Sequence, residues 1–482
     1  MKKKVYYLIL LSIIILGALL RFYAISDYSL WNDELESLRI SKVANISELL
    51  QRSIQDDVHP PLYQIILYYV IRIFGDSEFA LRLLSAIAGI LSIFFIALLG
   101  KKLFSENIAL TSASLLAFIW TPIYYSVEAR SYSILLLLSI WQAILFFEIF
   151  KGLGNRKKSF NFYLSLLFLN SLALAYTHYF GLLLALLSNL FILIIAMKRK
   201  SKLIAFLLFN ALFILAYLPF INIILNHFKN ASSWIKEPHI ADFALFLFFA
   251  SGYSFFLLAC CFLLLLFYFI KKIGKGKPVL NSKIIALLLW LFLPYLLAFF
   301  YSLAFTPILS QRNLIILLPA AYLLFAYFIS SLFKNTYSII IIAAILIFNL
   351  FFFSTYFDLY KEKGGISDFE ITIPHKQESR EAMLFLKNEL QEYNDYEVFA
   401  SVYFKEYIQY YSEKESIDLK SFEIIRLEKD TVKLFEIEKG FILISLHAEP
   451  EEKLIQYIEK RFAKLRHKEF RGAKVSVFKK KD

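Results

Sequence analysis

Residues able to do chemistry together stand at the ends of apolar runs in this chain. One group reads Trp31-Asn32-Asp33-Glu34 and a second Asp56-Asp57-Val58-His59-Pro60-Pro61. A third reads Glu128-Ala129-Arg130, and His178 and Arg312-Asn313 follow. Arginine can hold a phosphate through two parallel N–H bonds. A carboxylate can take a proton from a hydroxyl. Carboxylates with histidine can hold a divalent metal that neutralises a leaving phosphate. Asp33 and Glu34 fall where a helix would begin, and a helix N-terminus favours the ionised carboxylate. That suits a base or a metal ligand better than a proton donor. Charges at a membrane boundary are costly to desolvate, so a set gathered on one face suits a polar reaction on a lipid headgroup.

The elements that must carry these residues are membrane spans. Of the 482 residues 59% are hydrophobic, and the mean hydropathy is +0.61. Soluble domains run about 45–50% apolar, so neither a string of soluble domains nor a disordered chain fits. Runs long enough to cross a bilayer lie near 5–22, 80–99, 107–126, 131–150, 160–176, 179–197, 203–225, 241–270, 284–303, 313–333 and 336–357, which makes about 11 spans. The net charge of +13 sits mostly in short Lys/Arg clusters between these runs, so it reports topology rather than nucleic-acid binding.

The run Leu62–Phe74 is too short to span. It carries Gln64, Tyr68 and Arg72 along one helical face, as expected of a helix lying in the interface. With that helix flat and the N-terminus cytoplasmic, the basic clusters Lys2–Lys4, Lys101–Lys102, Lys151 with Arg156–Lys158, Lys198–Lys202, Lys271–Lys277 with Lys283, and Lys334 all fall inside. The loop 23–79, Glu128, Arg130, His178, Arg312 and the tail then fall outside. Leu35, Leu38, Val43, Ile46, Leu49 and Leu50 recur at helical spacing and predict one further interfacial helix starting near Asn32.

The expected fold class is therefore an α-helical polytopic membrane protein with interfacial helices in its first outer loop. Residues 1–357 form the membrane domain. Residues 358–482, charged and without a span, form a small α/β extracytoplasmic domain. Its expected elements are helices at 378–393, 404–413 and 450–465 and strands at 396–402, 422–427, 441–447 and 474–478. Cys260 and Cys261 are adjacent within an apolar run, which excludes a stapling disulfide. Lys2–Lys4 followed by apolar residues reads as an uncleaved first span. Arg21 reads as an interfacial anchor, Asn170, Asn189 and Asn210 as interhelical hydrogen-bonding groups, and His375 and His447 as structural.

An Asp-Glu pair after the first span, then His59-Pro60-Pro61-Leu62, then Glu128-Ala129-Arg130-Ser131-Tyr132, resembles the GT-C glycosyltransferases. Within them the chain is similar to the protein O-mannosyltransferase and aminoarabinose-transferase-like group, in its RgtA/B/C/D-like branch. The pattern covers roughly the first 180 residues. Arg312-Asn313, the number of runs and the outer tail extend it along the chain.

The resemblance implies that Asp33 is the catalytic base and Glu34 its partner. It implies that Glu128 is the acidic residue of the second outer loop. Arg130 fits the Glu-Ala-Arg-x-Tyr form of the branch, and His59 takes the position before Pro-Pro. Val58 stands where aminoarabinose enzymes have Glu, which weakens the case for their substrate. The implied reaction is inverting transfer of a hexosyl or pentosyl group from a polyprenyl-phosphate sugar at the plasma membrane, in envelope glycan, lipopolysaccharide or glycolipid assembly. The acceptor is a glycan, lipid or protein.

On this reading Glu128 joins Asp33 and Glu34 as catalytic. Arg130, Arg312 and His178 bind the donor phosphate. A divalent metal on Asp33, His59 and Glu128 stays open beside the arginines. No glycine-rich phosphate loop faces the cytoplasm, so no nucleotide-sugar site is expected. The rivals are a surface-glycan polymerase or ligase using a lipid-diphosphate donor and, in another class, a lipid or solute transporter. A transporter predicts an inverted repeat and charges near the bilayer midplane, and the sequence shows neither.

Overall fold

The computed structural model describes residues 2–23, 25–57, 59–152, 160–199, 202–221, 235–273, 281–332, 337–353, 376–419 and 421–481. Val58, Lys334, His375 and parts of the basic clusters at 156–158, 198–202 and 271–277 lie outside them. The chain divides into two compact units. The first comprises Met1–Tyr23, Val43–Gly75 and Ala80–Phe357; the second comprises Ala24–Lys42, Asp76–Phe79 and Asp358–Asp482.

The first unit is helical. Among the described residues eight helices are long and apolar enough to cross a membrane, and counting two bent pairs as spans gives ten. The eleventh expected run is described as Tyr337–Phe353, with its apolar stretch at Ile342–Phe351. The helices α1 (Lys3–Phe22), α2 (Asn32–Ser41), α3 (Ile46–Gln55) and α4 (Leu62–Phe74) come first. They are followed by α5 (Glu78–Leu103), α6 (Glu106–Phe118), α7 (Trp120–Ser126), α8 (Tyr132–Gly152), α9 (Phe160–Thr177) and α10 (Tyr179–Arg199). Helix α6 packs on α1, and α8, α9 and α10 pack on one another around Leu145, Ile149, Leu167 and Ile192.

Two of the expected straight spans are bent. The run 107–126 breaks at Ile119 by 59° and the run 241–270 breaks after Ala250 by 99°. A proline within a helix lacks the N–H donor and crowds the carbonyl at i−4, which favours a kink or a break. Pro122 falls in the first turn of α7, just after α6 ends at Phe118. At the second break Gly252 and Tyr253 adopt φ +72° and +57°. A Cβ on Gly252 would lie 2.9 Å from the Trp120 nitrogen, so glycine lets the two bends touch. Thr121 Oγ1 donates to the Phe249 carbonyl at 2.6 Å across that contact.

Arg21 departs from its reading as an interfacial anchor. It is fully buried. Its Nη2 donates to the Leu116 carbonyl at 2.9 Å, its Nη1 to the carbonyls of Ala117 at 3.2 Å and Gly17 at 2.9 Å, and its Nε to Ser126 Oγ at 3.1 Å. Carbonyls in the last turn of a helix lack intrahelical donors, and Arg21 supplies them where α6 breaks. Asn170 bonds across helices as expected, to Leu138 O and Gln142 Oε1. Asn210 bonds within its own helix, to Phe206 O. Asn189 is buried with no hydrogen-bond partner among the described residues.

The expected single interfacial helix from Asn32 is two helices in two units. Asn45 has extended backbone and its side chain accepts from Glu48 N, which starts α3 afresh. Helix α4 has the expected bounds.

The second unit holds a five-stranded sheet in the order β2-β1-β3-β5-β4. The strands are β1 (Glu397–Ser401), β2 (Glu423–Ile424), β3 (Gly440–Leu446), β4 (Phe462–Phe470) and β5 (Ala473–Lys480). β1 pairs in parallel with β2 and β3, whereas β5 is antiparallel to β3 and β4. β3 is buried along its whole length, as the continuous apolar run of a central strand requires. Helices Ser379–Glu392, Lys405–Lys414 and Glu452–Arg461 lie near their expected places. β4 replaces the expected end of the helix 450–465. Its Lys464, Arg466, Lys468 and Glu469 are the charges with which an edge strand stays soluble, and of these only Lys464 fell within the expected helix.

Candidate active site

In the first unit four sequence-predicted residues converge. His59 opens the Pro60-Pro61 turn ahead of α4. Asp57 Oδ1 accepts from His59 N at 3.2 Å, a turn closed by a side chain two residues back. Asp57 Oδ1 also lies 3.5 Å from His59 Nδ1, and its Oδ2 accepts from Gln64 Nε2 at 3.0 Å. The buried Asp57 carboxylate thus closes the turn that carries His59 and lies beside its ring. His59 meets His178 edge to face, with ring centroids 4.9 Å apart.

His178 lies between α9 and α10. Its Nδ1 accepts from Phe180 N at 3.1 Å, which puts the ring proton on Nε2. Burial holds its pKa well below the usual histidine range, and His59, Arg130 and Arg312 push the same way; a hydrogen bond with the Asn313 side chain opposes them. Asn313 is in turn fixed by its Nδ2 on the Ile308 carbonyl at 3.0 Å. His178 is therefore a neutral, directional group rather than a cation.

Glu128 and Arg130 are buried in the turn between α7 and α8, where Arg130 N donates to Glu128 O at 2.8 Å and Ser85 Oγ to Arg130 O at 3.1 Å. Arg312 stands in the 3₁₀ turn Gln311–Leu317, with its guanidinium carbon 5.9 Å from the Tyr132 ring centroid. Tyr132 packs on His178 at 6.1 Å. Two guanidiniums and a neutral imidazole around aromatic walls suit a phosphate in a place shielded from water.

Asp33 and Glu34 belong to the second unit and open α2. Glu34 is fully buried and pairs at 3.3 Å with Lys376, itself fully buried. Its Oε2 also accepts from Trp31 N at 3.3 Å, as a residue capping its own helix does. Asp33 is half-buried. Beside it, Asn32 N donates to Gln377 Oε1 at 2.9 Å. Downstream, Glu36 accepts two bonds from Arg39 and one from Tyr407. Arg39 lies over the Phe404 ring.

Residues 58–223 match the family model of dolichyl-phosphate-mannose-protein mannosyltransferases. No curated protein matches the sequence. ArnT from Cupriavidus metallidurans in the apo state superposes with a TM-score of 0.54 at 11% identity, 97% of each chain being covered. The same protein bound to undecaprenyl phosphate gives 0.53 at 11% identity, again over 97% of both chains. The Archaeoglobus fulgidus oligosaccharyltransferase in complex with Zn and sulfate aligns at 13% identity over 95% of this chain and 71% of that one, with a TM-score of 0.47. The chain has the GT-C glycosyltransferase fold. Residues 58–223, about a third of the chain, carry the mannosyltransferase family match within that fold.

The site holds further candidates that the sequence left unmarked. Asp57 was signalled only by its place two residues before His59. Lys376 and Gln377 gave no local signal, because their partners Glu34 and Asn32 lie 342 and 345 positions away, and His447, expected to be structural, meets Gln377 70 positions away. Of the three residues named for a metal, His59 and Glu128 fall in the first unit and Asp33 in the second. Among the described residues no group of three or more His, Cys, Asp or Glu side chains is disposed to hold a metal ion.

Proposed function

We propose that this chain is a glycosyltransferase that moves a sugar, with inversion, from a polyprenyl-phosphate donor to a hydroxyl of a lipid, glycan or protein on the outer face of the plasma membrane. The acceptor oxygen attacks the anomeric carbon and gives its proton to Asp33. The bond from that carbon to the phosphate oxygen breaks, its electron pair leaving with polyprenyl phosphate. Arg130 and Arg312 neutralise the charge that grows on the departing phosphate. His178 adds a directional hydrogen-bonding group, and His59, on the turn that Asp57 closes, completes the surround. Glu128 is assigned to the catalytic set and Glu34 to the shape of the helix that carries Asp33. In this reading the N-terminus is cytoplasmic, residues 1–357 are the membrane domain, and residues 358–482 are extracytoplasmic.

The observation that carries the reading is the convergence of Arg130, Arg312, His59 and the neutral His178 within one helical unit. The solved ArnT of the same fold, bound to undecaprenyl phosphate, supports it. The test is transfer by the purified enzyme in lipid micelles from polyprenyl-monophosphate and polyprenyl-diphosphate sugars carrying the same radiolabelled sugar. Transfer from the monophosphate, with an inverted anomeric linkage, is expected. Transfer from the diphosphate alone would make the protein a glycan polymerase or ligase.

A further inference from the structure

Asp33 sits between two neighbours that are both held by consecutive residues of the tail. Asn32 on one side gives its backbone N–H to Gln377 Oε1 at 2.9 Å. Glu34 on the other gives its carboxylate to Lys376 Nζ at 3.3 Å, with both side chains wholly buried. The orientation of the Gln377 amide follows from the first bond. A backbone N–H must meet the amide oxygen, so Nε2 faces the other way, and there it lies 2.5 Å from His447 Nδ1. An amide nitrogen only donates. His447 Nδ1 must therefore be the unprotonated nitrogen of the ring.

His447 follows β3 and adopts φ +56°, a conformation uncommon for a residue with a side chain and costly to hold. Its N–H donates to the Gly472 carbonyl at 2.8 Å. Gly472 is itself at φ +71°, and a Cβ there would lie 2.8 Å from Gln377 side-chain atoms. Two left-handed residues thus shape the seat of one glutamine. A buried ion pair is weak support for stability as such, and fixing one arrangement is its best-attested use.

We propose that Lys376, Gln377 and His447 are positioning residues for Asp33: Lys376 holds Glu34, Gln377 holds Asn32, and His447 seats Gln377, so the turn that presents Asp33 is gripped on both flanks. This rests on the reading of Asp33 as the base. None of the three touches the substrate in this assignment. The tail then acts in transfer by fixing the geometry of a carboxylate supplied by the first loop. A displacement of about 1 Å in a catalytic group can cost about 100-fold in rate, which is the scale of what the grip protects.

The test uses the full-length enzyme in micelles with a polyprenyl-phosphate sugar, measuring kcat, donor KM, donor binding and melting for Gln377→Ala, His447→Gly, His447→Asn and Asp33→Asn. Gln377→Ala should lower kcat by about 10-fold or more at unchanged donor KM. His447→Gly relieves the backbone strain but removes the acceptor for Gln377, and should lose kcat similarly. His447→Asn restores an acceptor oxygen and tolerates positive φ, and should keep more kcat than His447→Gly. If Gln377→Ala and His447→Gly only lower the melting temperature and turn over normally below it, the positioning assignment is overturned while an inactive Asp33→Asn leaves the base assignment standing. If Asp33→Asn turns over normally, the base reading fails first, and the grip has nothing catalytic to hold.

Discussion

The two units set their charged residues by different means. In the helical unit Arg130, Arg312, His59 and His178 come from turns at the ends of long apolar helices, where local bonds such as His59 N to Asp57 and Phe180 N to His178 shape the turns and the helices bring the side chains together. In the sheet-bearing unit Asp33 stands on a short helix whose flanking residues are fixed by partners more than 340 positions away. Rigid spans suffice to present a phosphate-binding set. A ten-residue helix in a loop is too short to be stable alone, so its orientation must be imposed from outside. On the proposed assignment phosphate binding and proton removal fall to different units, and substitutions can separate them.

The largest expected effect is on proton removal. Asp33→Asn should lower transfer by at least about 100-fold, as loss of a positioned general base does, with little change in melting. Next come the arginines. Arg130→Ala or Arg312→Ala should cost about 100-fold in kcat/KM, whereas Lys keeps the charge, loses the paired bonds and should retain part of the activity. Assay in strong chelator separates them from a metal. Full activity leaves the arginines to neutralise the phosphate, and loss restored by one divalent ion assigns that task to the ion.

Lys376→Met leaves Glu34 charged and buried without this partner, and should destabilise the second unit by about 3–5 kcal/mol. The smallest effect concerns acidity. Burial holds His447 below the usual histidine range, with the Asp33 carboxylate acting against it. The unfolded chain therefore takes up a proton that the folded one resists. Stability from this residue is complete above the ordinary histidine pKa of about 6.5 and falls as pH drops below it. Melting measured from pH 7.5 to 5.5 should show a small decline that His447→Asn reduces.

What the sequence made legible follows the same division. The apolar runs, the flat helix Leu62–Phe74 and most tail elements could be read because hydrophobic periodicity is local. The phosphate-binding candidates could be read because their motifs lie at run ends. The bends at Ile119 and Gly252 were missed, because hydropathy does not register a change of direction; Pro122 and Gly252 were the available signals. Arg21 looked like an anchor because burial depends on partners from α6, 95 positions further on. β4 hid behind charges, and the Lys376–Glu34 pair behind distance.

Titration of polyprenyl phosphate into the wild-type enzyme, Asp33→Asn and the double variant Arg130→Ala/Arg312→Ala tests the division of labour most directly. The account predicts that Asp33→Asn binds as tightly as wild type while failing to transfer, and that the double variant binds at least about 10-fold more weakly. Undiminished binding by the double variant, or binding lost in Asp33→Asn, would contradict it.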